Sequence, residues 1–190
     1  LKLKKDGKVI TSAQRVLKEE GRYSMTVKNP LLWSAESPQL YDLLIEVMDE
    51  KGNNQEVILQ KVGFRRFEMV DNIMTLNGKR IVFKGVNRHE FSSVGGRHVT
   101  EAELLKDIIT MKRNNINAIR TCHYPDDSAI YHLCDEYGLY MIDETNLESH
   151  GSWDETRFEK KVEEIVPGDR PEWKAMMLDR VNSLYQRDKN

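Results

Sequence analysis

NAIRTCHYPDDSAIYHLCDEYGLYMID, residues 117–143, is the stretch on which the fold turns. It opens on Asn117-Ala118-Ile119-Arg120-Thr121, an apolar run short enough to be a buried strand. Pro125 and Asp126 then start a helix, in which Ile130, Leu133, Cys134 and Tyr137 recur at helical spacing and face inward. Gly138 is placed to end that helix as a left-handed cap, and Leu139-Tyr140-Met141-Ile142 is a second strand. Strand, helix and strand in immediate succession read as a parallel βα unit.

The same rhythm extends in both directions. Upstream, Ile73-Met74-Thr75-Leu76 and Arg80-Ile81-Val82-Phe83 flank an Asn77-Gly78 hairpin turn, and the second strand is expected to run on through Lys84-Gly85-Val86-Asn87. Thr100 and Glu103 form a reciprocal capping pair ahead of a helix whose Leu104, Leu105, Ile108, Ile109 and Met111 share an apolar face. Downstream, a helix beginning near Pro171 carries Trp173, Met176, Met177, Val181 and Leu184 on one side. An eight-fold barrel takes about 250 residues, so residues 70–190 read as the N-terminal part of a (β/α)8 TIM barrel, its first three or so βα units. Residues 1–69 have another texture. Tyr23–Val27, Leu40–Val47 and Val57–Val62 are short β-rich runs, the last two separated by Asp49–Asn54. Only about four or five strands fit there, against the seven or so of a complete immunoglobulin-like sandwich, so this part is a partial β-sandwich. The fold class is mixed β and α/β.

With 39% hydrophobic and 32% charged residues among 190, the composition is that of an ordinary globular chain. No run approaches the roughly 18 apolar residues of a membrane span. A formal net charge of -2 gives no electrostatic case for nucleic acid or anionic lipid. Cys122 and Cys134 match no metal knuckle and read as free thiols in a reducing, cytoplasmic compartment. The chain starts at Leu1 and stops inside the strand-helix array, so it is expected to be an excerpt of a longer enzyme.

Asn87, Arg88 and His89 follow one strand, Arg120, Cys122 and His123 end the next, and Asp143-Glu144-Thr145-Asn146-Leu147-Glu148-Ser149-His150-Gly151 follows the third. In a (β/α)8 barrel strand C-termini converge on the catalytic mouth. Taken singly, His89 or His123 is more often a satisfied structural histidine. Three polar clusters at equivalent positions favour a site. Glu148 and His150 are two apart, so in extended backbone both side chains leave one face and can grip one cation; a surface loop with Ser149 as a cap is the alternative.

The blocks Pro30-Leu31-Leu32-Trp33-Ser34 with Pro38-Gln39-Leu40-Tyr41, Val62-Gly63-Phe64-Arg65, Gly85-Val86-Asn87-Arg88-His89-Glu90, Arg120-Thr121-Cys122-His123-Tyr124-Pro125, Asp143 to Gly151 and Gln186-Arg187-Asp188-Lys189-Asn190 resemble the β-galactosidases of glycoside hydrolase family 2. The β-glucuronidase and β-mannosidase branches share several of these blocks, but Glu148-Ser149-His150 is similar to the galactosidase branch.

That resemblance implies retaining hydrolysis of terminal β-D-galactosides of the lactose type, through a nucleophile and an acid/base glutamate that both lie outside this chain. It implies that His89 and His123 hydrogen-bond sugar hydroxyls and stabilise the transition state, with Asn87 and Arg120 also on the substrate side. It gives Glu144 a supporting role, and Glu148 and His150 to magnesium, with sodium as a further ion and the absent glutamate as third ligand. Arg120 orients a neighbouring carboxylate, Asn87 and Arg88 admit a structural reading, and Trp33 belongs to sandwich core or a domain interface. Trp153 is a candidate stacking platform in a charged stretch, Asp154 to Glu164, more simply read as a solvated insert. The implied partners are the β-galactoside, the remainder of the barrel and, in the full enzyme, further copies of itself as a homo-oligomer. A non-catalytic complementing fragment is the other function class.

Overall fold

A computed structural model describes residues 1–16, 22–152, 165–168 and 170–189; Trp153 and the stretch from Asp154 to Glu164 lie outside them. Two compact units are present, Leu1–Val82 with Asp135–Gly138, and Phe83–Cys134 with Leu139–Asn190.

In the first unit, β1 (Lys2–Lys5) and β2 (Lys8–Ser12) form a hairpin closed by Asp6-Gly7, both at positive φ. This is the turn that matches the twist of a two-residue hairpin. Strand β3 (Leu40–Met48) pairs antiparallel with β1 on one edge and β4 (Asn54–Gly63) on the other, giving the order β2-β1-β3-β4. The Asp49 carboxylate closes the β3–β4 loop, accepting from the amides of Lys51 at 2.9 Å and Asn53 at 2.8 Å. The expected strand at Tyr23–Val27 is not formed. β-Propensity forms a strand only where a partner edge is met, and this segment pairs with neither edge strand of the sheet, β2 or β4. The initial hairpin, by contrast, was announced by Asp6-Gly7 and was not among the expected strands.

Trp33 is buried with Ala35, Tyr41 and Leu76. Its amide donates to Phe64 O at 2.8 Å and its indole Nε1 to Asp135 O at 2.8 Å, so the polar edge of a large apolar ring is satisfied. Gly138 ends the second helix of the chain at φ 76°, and a Cβ there would lie 2.3 Å from Ala35 O. Only glycine meets both conditions.

A separate meander follows: β5 (Phe67–Val70), β6 (Ile73–Leu76) and β7 (Lys79–Arg80). The Asn77-Gly78 turn stands as expected, with both residues at positive φ. The strand after it does not run on. β7 ends at Arg80, and the chain re-enters regular structure only at β8 (Gly85–Arg88), in a different sheet. The change of partner explains the break: Asn117 receives the Lys84 amide on its Oδ1 at 2.7 Å and returns its own amide to Lys84 O at 3.0 Å.

The second unit holds β8, β9 (Ala118–Thr121) and β10 (Tyr140–Ile142), all parallel, in the order β10-β9-β8. Helix α1 (Glu101–Arg113) connects β8 to β9, and α2 (Ser128–Tyr137) connects β9 to β10. Thr100 and Glu103 form the complete capping box, and Leu104, Ile108 and Met111 are buried. They meet Ile119, Ile130, Leu133, Cys134 and Leu139 in one core. α2 starts later than expected. Asp127, not Asp126, caps it, accepting from Ala129 N at 2.8 Å through Oδ1. A last helix, α3 (Lys174–Asp188), is preceded by a 3-10 turn at Pro171–Trp173. Its expected apolar face is only partly covered, since Val181 is exposed. Among the described residues no helix is long and apolar enough to cross a membrane.

Candidate active site

Alternation along the parallel strands sorts their polar residues to two sides. Asn87 of β8 is in register with Arg120 of β9, and Arg120 with Ile142 of β10. Asn87 and Arg120 therefore share a side, and Arg120 Nη1 lies 3.5 Å from Asn87 Oδ1. Arg88, one position on, is turned the other way, into the layer between sheet and helices.

Arg120 is the hub of the first side. Its Nε donates to Glu144 Oε1, and its Nη2 lies 3.2 Å from His123 Nδ1. His123 Nδ1 is also 3.2 Å from Glu144 Oε2 and 3.8 Å from Glu148 Oε2. The hydrogen bond to Glu144 holds the Arg120 guanidinium above its ordinary pKa. A single ring nitrogen cannot accept from Arg120 and donate to Glu144 at once, so the tautomer of His123 decides which bond forms. If Arg120 donates, His123 keeps its proton on Nε2. The ring of His89 stands edge-on to His123, centroids 5.4 Å apart at 86°. Glu144 is fixed from behind as well, its amide donating to Thr121 Oγ1 at 2.8 Å. Asn87, His89, Arg120, His123, Glu144 and Glu148 thus form one polar cluster from the ends of three strands.

The extended backbone from which Glu148 and His150 were expected to project to one face is not formed. The segment is not extended: Glu148 Oε1 accepts the His150 amide at 2.8 Å, and Ser149 O accepts from Ser152 N at 2.8 Å ahead of a 3-10 turn at His150–Ser152. Glu148 Oε2 is instead directed to His123. Among the described residues no three His, Cys, Asp or Glu side chains are grouped to hold a metal ion. These residues offer a cation an incomplete donor set.

Behind the strand ends lies a second network that sequence reasoning missed. Arg88, 6% exposed in its side chain, donates from Nη1 to Asp126 Oδ2 at 2.8 Å and from Nε to Asp107 Oδ2 at 3.1 Å. Burial pushes the Asp126 carboxyl up to about 6 against the opposing pull of Arg88. Asp143, a partly buried acid nearby, accepts from Tyr131 OH at 2.9 Å and from Thr121 Oγ1 at 3.3 Å. Burial, and next its neighbour Asp188, push it up to about 6. Strand alternation could have found Arg88, which follows Asn87 in β8 and so faces the other way, but Asp126 and Asp143 lie in the loops after β9 and β10, where no such alternation applies.

Residues 67–190 match the family model for the glycosyl hydrolases family 2 TIM barrel domain, and residues 2–65 match that for glycosyl hydrolases family 2. The chain is 55% identical over 184 residues to a beta-galactosidase of Halalkalibacterium halodurans, covering 96% of this chain and 18% of that protein. It is 47% identical over 168 residues to the beta-galactosidase large subunit of Lactobacillus acidophilus, covering 88% of this chain and 27% of that subunit. Among solved structures it is similar to apo Bacteroides uniformis beta-glucuronidase 3, with a TM-score of 0.69 and 33% identity, covering 75% of this chain and 18% of that one. The chain spans well under a third of the length of each.

Proposed function

The chain belongs to glycosyl hydrolase family 2, as a part of its sandwich domain and the start of its TIM barrel domain, and from that premise we propose that it serves a retaining β-galactosidase. The reaction is hydrolysis of terminal non-reducing β-D-galactose residues. β8-α1, β9-α2 and β10-α3 are the first three βα units of the barrel, and their strand ends supply one part of the sugar site. The observation that carries this reading is the cluster of His89, His123, Arg120 and Glu144, in which two imidazoles 5.4 Å apart face each other edge-on. An imidazole donates from one nitrogen and accepts at the other, which suits a pair of sugar hydroxyls.

Retaining chemistry needs two carboxyl groups about 5–5.5 Å apart. Glu144 is not one of them in this reading, because its two carboxylate oxygens are already engaged by Arg120 and His123. The acid/base and the nucleophile come from the remainder of the barrel, which is the first partner of these residues. Identity with beta-galactosidases well above that with the beta-glucuronidase favours a galactoside over a glucuronide. Glu148 and His150 are two ligands of a magnesium ion whose third protein ligand is a glutamate elsewhere in the enzyme; such an ion would fix Glu148 beside the sugar. The buried free thiols of Cys122 and Cys134 fit a reducing, cytoplasmic setting. The full protein assembles from several copies, or with a second subunit as the name of the Lactobacillus relative suggests for that protein.

Assay of the full-length enzyme on paired aryl β-galactoside and β-glucuronide substrates decides the substrate. Preference for the glucuronide overturns the reading. Chelation should abolish most of the activity and magnesium restore it; indifference to chelator would remove the metal from the account.

A further inference from the structure

We infer that Arg88 and Glu90 are positioning residues that set the distance between His89 and His123 by clamping one histidine loop to the other. The inference rests on the sugar-binding reading of these histidines. His89 is bracketed in sequence by the two residues, and both turn away from the mouth to the same place, the segment just after His123-Tyr124-Pro125. Arg88 reaches Asp126, whose side chain has no exposed surface, at 2.8 Å. The Asp127 amide donates to Glu90, 3.1 Å from each carboxylate oxygen. Arg88 O also accepts the Cys122 amide at 3.0 Å. The loop carrying His89 and the loop carrying His123 are thus joined by three ties, each at a residue adjacent to His89 and none more than four residues from His123.

The clamp is braced from both helices. Asp107 of α1 takes the Nε of Arg88 at 3.1 Å, and Asp127, while donating to Glu90, caps α2. Neither Arg88 nor Glu90 touches the cluster of Arg120, Glu144 and Glu148, so each acts through His89. A small error in ring placement is costly for groups whose hydrogen bonds strengthen only as the sugar distorts.

The experiment is a double-mutant cycle in the full-length enzyme with Glu90→Ala, His89→Ala and both together. Glu90→Ala should lower kcat roughly tenfold with KM changed by less than about threefold. Glu90→Gln, which retains a carbonyl acceptor for the Asp127 amide, should recover to within about threefold of the parent. On the His89→Ala background Glu90→Ala should cost less than about twofold more. An equal loss on both backgrounds means that Glu90 acts elsewhere and overturns the clamp. If Glu90→Ala does not fold, Asp126→Asn, which keeps shape but weakens the grip on Arg88, takes its place in the cycle. An enzyme that turns over the glucuronide and not the galactoside refutes the substrate reading alone, and the same cycle on the glucuronide still judges the clamp. Crystal structures of the parent and Glu90→Ala enzymes judge it without turnover: an unchanged His89–His123 separation overturns it, and a displaced His89 in an ordered loop supports it.

Discussion

His123 shows at the residue scale how little of a side chain's chemistry is its own. Its Nδ1 meets an arginine and two glutamates, and whether that nitrogen donates or accepts follows from which of them it serves. In the full-length enzyme His123→Ala should lower kcat/KM about 100-fold, the order expected when hydrogen bonds that strengthen in the transition state are worth several kcal/mol in total. Unchanged kinetics would reduce it to packing. Asp126 makes a prediction in pH. Its carboxyl sits at about 6 in the fold against 3.8 ordinarily, so between these values the folded chain holds a proton that the unfolded chain has released. Its contribution to stability is therefore present below about pH 4 and is lost as pH rises through about 6. Asp126→Asn removes that titration. The thermal midpoint of the parent relative to the variant should fall as pH is raised from 4 to 6, and parallel curves would contradict the burial argument.

At the scale of elements, the two helices that link the parallel strands are held by different devices at their ends. Thr100 caps α1 through its hydroxyl while Glu103 returns the bond to the Thr100 amide at 2.9 Å. Glu103 is held down to about 2, first by Ser92 Oγ at 2.6 Å and then by Thr100, so the cap and the loop after β8 share one carboxylate. Thr100→Ala should cost about 1 kcal/mol. Gly138→Ala should cost more, about 2 kcal/mol or above, because it combines a positive φ with a backbone oxygen 2.3 Å from the new Cβ. Thermal midpoints of the two variants in the full-length protein check the order, and a milder effect at Gly138 would mean that the chain around Ala35 yields easily.

Across the whole molecule, the described residues leave many large apolar side chains uncovered. Val57, Ile58 and Leu59 of β4 and Leu178, Val181 and Tyr185 of α3 are exposed, and among the described residues the outer edge of β4 pairs with no further strand. Open strand edges and contiguous apolar surface drive association. The 190-residue chain by itself is therefore expected to run as oligomers or aggregates in light scattering. A monodisperse monomer with a cooperative melt would show that these surfaces close on one another.

The sequence by itself determined what is local. The capping box at Thr100, the Asn77-Gly78 turn, the left-handed end at Gly138 and the apolar faces of α1 and α2 depend on neighbours a few residues away and stand where their patterns put them, except that Tyr137, expected inward on α2, is exposed. So did the gathering of His89, Arg120 and His123, because parallel strands of similar length end together. What only the tertiary structure decided is partnership. Tyr23–Val27 has strand propensity yet pairs with no strand, while Phe83 and Lys84 leave their hairpin because Asn117 offers a parallel partner. Arg88 and Asn87 are adjacent and equally polar, yet one is locked behind the sheet on Asp126 and the other faces Arg120. Pleating sends successive side chains to opposite faces, and which face is the mouth is set by the strands and helices that arrive from elsewhere in the chain.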